Sequence, residues 1–197
     1  MPTKFPRKIA EHVLQSPVET VLDAFCGMGG NTIQFALSPS CNRVVAVDSD
    51  LDAVECAKHN AKIYGVLDKI DFIVGDIFQL IRDGDPRIVG DAVFMSPPWG
   101  GPGYRSFPVF DLETMEPYSM YSFPLSIYSV KIGYTHTDRV RLGKKRSFLV
   151  EQALKISPNV ALYLPRTSDL NQLAGLVPSG QKAQGIHYCL RQRSKVC

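Results

Sequence analysis

Apolar positions along the chain follow two kinds of pattern. Short runs rich in β-branched and aliphatic residues predict strands at residues 20–25, 43–48, 70–74, 91–95 and 160–164. Between them, apolar residues recur at helical spacing. Alternating strands and helices predict an α/β fold, in which right-handed crossovers join a mainly parallel sheet with helices on both faces.

Local signals place some of the helix ends. Asn31 and Asp50 are predicted N-caps of the helices that follow the first two strands, because their short polar side chains can accept hydrogen bonds from free backbone N–H groups. Gly65 stands where the second of these helices should end. Residues 147–156 predict a further helix, and residues 185–190 a sixth strand.

Apolar residues show no clear period, helical or extended, over residues 107–146. Several aromatic residues come first, and then a basic run made of Lys131, Arg139, Arg141, Lys144, Lys145 and Arg146. A loop this long in a compact domain is usually functional or disordered. We therefore expect one domain over residues 1–197 with an irregular insertion at about 107–146. The basic half either contacts RNA phosphates or forms a solvated loop.

The composition narrows the class of protein. Hydrophobic residues make up 45% of the chain and charged residues 21%, which is typical of a soluble globular domain. Neither a membrane-spanning run nor a secretory signal is expected. The five cysteines are widely spaced and suggest neither a zinc site nor a disulfide framework, so a reducing compartment is expected. A net charge of +3 permits an anionic partner.

A glycine-rich segment follows the first strand, at residues 23–32. A strand that turns through glycines into a helix lets the backbone approach a ligand closely. The dinucleotide pattern fails here because Thr32 occupies the position of its third glycine. Asp23, ahead of the glycines, suits a cationic ligand such as the amino and sulfonium groups of S-adenosylmethionine. The alternative is a tight turn without a ligand.

Acidic residues also end the second and third strands. Asp48 ends the second strand and follows the glycines at the sequence separation that is typical of a carboxylate that binds both ribose hydroxyls of a nucleoside. Asp76 can accept a hydrogen bond from an adenine amino group, cap the next helix, or do both.

The segment after the fourth strand is the most specific one, and it contains Ser96, Pro97, Pro98 and Trp99. The prolines lack N–H donors, so the hydroxyl of Ser96 and the carbonyls of Ser96 and Pro97 form an acceptor-rich patch. An amino group that receives a methyl needs such acceptors for its hydrogens. Trp99 offers a face on which a base can stack. The alternative is a proline-rich turn with a core tryptophan.

Residues 21–37 and 96–102 closely resemble the trimethylguanosine synthase family, the RNA cap hypermethylases. Further similarities follow in the family's order at residues 9–12, 48–50, 60, 64–65, 75–76 and 164–166. The resemblance implies a Rossmann-like class I methyltransferase fold. It also implies methyl transfer from S-adenosylmethionine to N2 of 7-methylguanosine in an RNA 5′ cap.

The resemblance also assigns residues. The cofactor-binding set is Asp23, Phe25, Gly27, Gly29, Asn31, Thr32, Asp48, Ser49, Asp76, Ile77 and Ser96. The substrate-binding set is Trp99, Asn60, Arg166, Pro98 and Tyr104. Ser96, Pro97 and Trp99 are the expected catalytic residues, and no metal is expected. The expected partner is capped RNA, of the small nuclear or nucleolar kind, and no membrane partner is expected. The expected location is the nucleus or the cytoplasm.

Three departures from the family pattern stand out. Only eight residues precede Ile9, where the family has a segment that helps to close the site. Gly103 replaces an acidic residue, and the stretch at 107–146 is longer than the family pattern predicts. The tail is also short: little follows Leu190, so we expect an incomplete last hairpin in the sheet.

The substrate fits the chemistry of Trp99. A 7-methylguanine ring is cationic, and stacking on an indole gains a cation–π contribution of about 1–2 kcal/mol when desolvated. Two alternatives stay open. The chain could methylate an amino group of an internal RNA or DNA base, or it could read caps without catalysis.

Overall fold

A computed structural model describes residues 4–100, 108–115 and 148–176. The described strands form one parallel sheet in the order β3-β2-β1-β4-β5. Their bounds are β1 Val18–Asp23, β2 Cys41–Asp48, β3 Ile70–Val74, β4 Ala92–Met95 and β5 Val160–Leu162. The α/β fold and the five predicted strands are confirmed, with ends that differ by one or two residues.

The described helices cover both faces of this sheet. They are α1 Lys4–Val13, α2 Gly30–Leu37, α3 Leu51–Ile63, α4 Ile77–Asp83, α5 Phe148–Leu154 and α6 Leu170–Leu176. Side chains alternate along each strand. Val21 of β1 therefore packs into the core beneath α1, α2 and α3, while Leu22 packs into the core beneath α4, α5 and α6.

The topology fixes where a ligand can bind. β1 lies between β2 and β4, so the chain winds away from β1 in both directions. Open α/β sheets bind ligands at such a switch point, beyond the carboxyl ends of the strands. Asp23 of β1 is paired with Phe94 of β4, so the loops that follow these two strands emerge side by side.

The helix signals had mixed outcomes. Asp50 does cap α3, since its carboxylate accepts from the N–H groups of Asp52 and Ala53, and Gly65 follows the helix at φ 68°. The prediction that Asn31 caps α2 is wrong. Gly29 occupies the N-cap position in a left-handed conformation, with no side-chain hydrogen bond, because the turn that enters the helix needs this backbone geometry.

Part of the region expected to be irregular is ordered. In the segment 108–115, Phe110 forms a bridge with Ser168, and Leu112 lies in a short 3-10 helix and is fully buried. Neither that 3-10 helix nor α6 was predicted from the sequence, although Asp111 and Asp169 accept hydrogen bonds from backbone N–H groups at their starts. The basic run and the predicted sixth strand lie outside the described residues. Among the described residues, no helix is long and apolar enough to cross a membrane.

Candidate functional site

The turn after β1 is anchored to both neighbouring strands. Ala24 donates its N–H to the Phe94 carbonyl of β4 at 3.0 Å, and Cys26 donates to the Val47 carbonyl of β2 at 2.9 Å. The Cys26 thiol is buried, and burial raises its pKa. A thiol held neutral in this way is a packing group and a poor nucleophile.

Gly29 makes the closest approach of this turn to a helix. Its φ is 84°, and its N–H donates to the Cys26 carbonyl at 2.9 Å. A Cβ atom at Gly29 would lie 3.1 Å from the Cβ of Ala57 on α3. One turn along the same helix, the Asn60 amide donates to the Met28 carbonyl at 3.0 Å. Helix α3 therefore holds the glycine turn by close packing and by a hydrogen bond.

Asp48 ties the second strand to the same turn. Its Oδ2 accepts from the Gly27 N–H at 2.7 Å, and its Oδ1 accepts from the Asp50 N–H at 3.0 Å. The side chain is half-buried. Each oxygen has a second lone pair, so the carboxylate can still accept from a ribose hydroxyl while it holds the loop.

Asp23 is buried at the centre of the site. It is 1% exposed, and its Oδ2 accepts from the Thr32 hydroxyl at 2.7 Å. Burial raises the pKa of this carboxyl to about 6, and the negative charge of Asp48 adds to the shift. Thr32 is fully buried and its hydroxyl is bonded to Asp23, so Thr32 can act on a ligand through Asp23.

Within the described residues, two buried oxygens at this turn lack a hydrogen-bond partner, Oδ1 of Asp23 and Oδ1 of Asn31. Buried polar atoms are normally satisfied, and an exception calls for an explanation such as a bound group. A group that brings N–H donors, with a positive charge beside Asp23, is one such explanation for the Asp23 oxygen. The ammonium group of an amino acid has these properties.

Ser96 joins the loop after β4 to the turn after β1. Its hydroxyl donates to the Phe25 carbonyl at 3.1 Å. Because the hydroxyl proton is used in this bond, the oxygen faces any further partner as an acceptor. Pro97 is buried and Pro98 is exposed, so the two prolines fix the segment between the core and the surface.

Trp99 is half-buried. It packs against the core that lies beneath α4 and α5. Its indole N–H donates to the Tyr163 carbonyl at 3.3 Å, and the two rings are 5.4 Å apart at an angle of 45°. The residue is not fully buried, so part of it stays accessible to solvent.

The remaining predicted residues are placed as follows. The Asp76 carboxylate caps α4 by accepting from the Phe78 and Gln79 N–H groups, so its structural role is confirmed. Ile77 is buried in the core.

Ser49 and Arg166 are exposed. They follow β2 and β5, so both lie at the carboxyl edge of the sheet. Tyr104 lies outside the described residues. In the part of the chain that the structure describes, no cluster of histidine, cysteine and acidic residues could hold a metal ion.

Three residues of this region were not predicted from the sequence to contribute to the site. They are Met28 and Ala57, which contact the glycine turn, and Tyr163, which contacts Trp99. Their contacts depend on tertiary neighbours, and their residue types carry no motif signal. Tyr163 had one sequence signal: it directly follows the apolar residues of β5, which places an aromatic residue at the carboxyl edge of the sheet.

Comparison with known proteins gives one family. The family described as RNA cap guanine-N2 methyltransferase matches residues 18–196. A trimethylguanosine synthase from Schizosaccharomyces pombe is 34% identical over 176 residues, which are 86% of this chain and 62% of the relative. One from Saccharomyces cerevisiae is 38% identical over 157 residues, which are 79% of this chain and 41% of the relative.

A more distant similarity is to an uncharacterized RNA methyltransferase from Clostridium tetani, 32% identical over 93 residues, which are 47% of this chain and 19% of that protein. The chain thus spans 62% and 41% of the lengths of the two synthases.

Proposed function

This chain belongs to the RNA cap guanine-N2 methyltransferase family, and from that premise we propose that it methylates the exocyclic N2 of 7-methylguanosine in an RNA 5′ cap. S-adenosylmethionine is the methyl donor that we propose. The single observation that carries the proposal is the hydrogen bond from Ser96 to the Phe25 carbonyl. It joins the amino-accepting segment to the turn that carries the unsatisfied Asp23 oxygen.

The cofactor residues are proposed from the fit of their donors and acceptors. Oδ1 of Asp23 is buried and has no partner in the part of the chain that the structure describes, which suits the ammonium group of S-adenosylmethionine. Asp48 has free lone pairs for the ribose hydroxyls. Further cofactor residues are proposed at the same edge of the sheet. They lie in the loops after β1 and β2 or in the first turn of α2, and they are Phe25, Gly27, Gly29, Asn31 and Ser49. Bound S-adenosylmethionine supplies an electrophilic methyl group.

The chain's own residues orient the guanine. The Ser96 oxygen and the Pro97 carbonyl accept the hydrogens of the N2 amino group, which leaves its lone pair pointing away from them. Guanine N2 is a weak nucleophile, and no general base stands out in this segment, so positioning supplies much of the rate. The amino proton leaves to water after the transfer.

Trp99 selects the base. The cationic 7-methylguanine ring stacks on the accessible part of the indole and gains about 1–2 kcal/mol that neutral guanine does not. Pro98 and Tyr104 are proposed to border this platform. Asn60 and Arg166 are proposed to contact the sugar or phosphates of the cap.

The substrate in the cell belongs to the same proposal. We propose capped small nuclear or nucleolar RNA as the partner and the nucleus as one place of action. The whole chain is proposed to form one methyltransferase domain with an insertion at about 107–146.

The test is mass spectrometry of products from 7-methyl-GTP, GTP and uncapped RNA, each with S-adenosylmethionine. We expect a mass gain on 7-methyl-GTP alone, which also counts the methyl groups. Equal rates on GTP, or transfer to uncapped RNA, would favour an internal base as the substrate and refute the cap assignment.

Variants decide between catalysis and cap reading. Ser96→Ala should lose most turnover and keep cap affinity, while Trp99→Ala should lose cap affinity and Trp99→Phe should keep part of it. Cap binding without turnover in the wild-type protein would make the chain a cap-reading module.

A further inference from the structure

Tyr163 holds the Trp99 indole at two different points. Its backbone carbonyl accepts from the indole N–H at 3.3 Å, which fixes the polar edge of the ring. Its own aromatic ring lies 5.4 Å from the indole at 45°. The hydrogen bond holds one edge of the indole, and the contact with a second ring restrains the plane of the indole as well.

Tyr163 is itself well anchored. Its N–H donates to the Met95 carbonyl at 2.8 Å, which continues the pairing of β5 with β4. Its side chain packs against the core beneath α1 and α2, while Trp99 packs against the opposite core. The two rings thus meet at the carboxyl edge of the sheet, and each is supported by a different face.

A stacking platform works best when its plane is set before the base arrives. An indole that rotates freely must lose that freedom on binding, and each immobilised side chain costs affinity. Aromatic pairs at this separation stabilise each other beyond simple burial. The ring of Tyr163 can therefore pre-organise the plane on which the base stacks.

We propose that Tyr163 is a positioning residue that acts through Trp99, by holding the indole in the plane that binds the methylated base. This proposal rests on the proposed function, since it concerns the same base platform. It assigns the effect to the aromatic ring of Tyr163 and none to its hydroxyl.

Trp99 provides its own probe, because it is the sole tryptophan of the chain. Tryptophan emission therefore reports on this site alone. We expect 7-methyl-GTP to quench it in the wild-type protein. In Tyr163→Leu, the dissociation constant from this titration should rise roughly two- to tenfold, the range that an aromatic pair contributes. In Tyr163→Phe it should stay within about twofold of wild type, because the ring is kept.

Two measurements separate positioning from general damage. The affinity for S-adenosylmethionine, measured by calorimetry, should be unchanged in Tyr163→Leu, and KM for 7-methyl-GTP should rise more than kcat falls. Tyr64→Leu is the matched control, since Tyr64 is also partly exposed but ends helix α3. It should leave cap affinity unchanged.

Anisotropy decay of the wild-type protein tests the idea even if Tyr163→Leu fails to fold. A held indole tumbles with the whole molecule, so we expect little rapid depolarisation. A large fast component would overturn the proposal, and so would cap affinity in Tyr163→Leu equal to wild type. Failure of the proposed function looks different, because wild-type emission and calorimetry would then show no binding of 7-methyl-GTP.

Discussion

Replacing Gly29 by alanine tests how tightly helix α3 packs on the turn that carries the site. Gly29 has a φ of 84°, and a methyl group added to it would lie only 3.1 Å from the Ala57 Cβ and 3.4 Å from the Ala57 Cα. The Ala57 Cβ cannot rotate away because it is attached directly to the backbone. Relief therefore requires the helix or the turn to move.

Two other glycines separate the backbone cost of a positive φ from the cost of overpacking. Gly65 has a φ of 68° with no atom within 4 Å of an added Cβ, and Gly30 lies in α2 with equally open space. A left-handed alanine costs about 1–2 kcal/mol, and loss of glycine from the unfolded chain returns about 0.4–1 kcal/mol. Gly65→Ala should thus cost about 1 kcal/mol of unfolding free energy, and Gly30→Ala should stabilise by about 0.5 kcal/mol.

Gly29→Ala carries the same backbone cost and adds overpacking of about 1–3 kcal/mol, which gives a total of about 2–4 kcal/mol. Urea unfolding of the three variants measures these differences. In the double variant with Ala57→Gly, the packing cost should disappear while the backbone cost stays, which appears as a coupling energy. The reasoning is refuted if Gly29→Ala destabilises no more than Gly65→Ala.

Three further outcomes are expected. The raised pKa of Asp23 favours its protonated form in the folded chain. The free energy of unfolding of the unliganded protein should therefore fall by on the order of 3 kcal/mol as pH rises from about 3.8 to about 6. Urea titrations at several pH values measure this, and Asp23→Asn should flatten the dependence over this range. Asp50→Ala removes the cap of α3 and should cost about 1 kcal/mol of unfolding free energy by the same method, and a value near zero would contradict the role of the cap. Asn60→Ala removes the donor to the Met28 carbonyl and should weaken S-adenosylmethionine binding roughly two- to tenfold by calorimetry, beside any loss of the proposed cap contact. An unchanged affinity for S-adenosylmethionine would contradict the role of this hydrogen bond in holding the glycine turn.

The sequence by itself determined what depends on neighbours along the chain. The apolar runs predicted the five described strands and their parallel arrangement, because burial of both faces of a sheet needs continuous apolar runs. Asp50 was identified as a cap because a cap bonds to N–H groups two and three residues ahead. The candidate site residues from Asp23 to Trp99 were predicted because their residue types suit the chemistry of a ligand.

Only the tertiary structure decided the contacts between distant segments. Asn31 failed as a cap because the turn, packed against Ala57, places Gly29 at the start of the helix. The pairing of Trp99 with Tyr163 depends on the register of β4 against β5, which no local pattern encodes. The unsatisfied oxygen of Asp23 is likewise a result of burial, and burial is a property of the assembled sheet and helices, not of a residue and its neighbours in sequence.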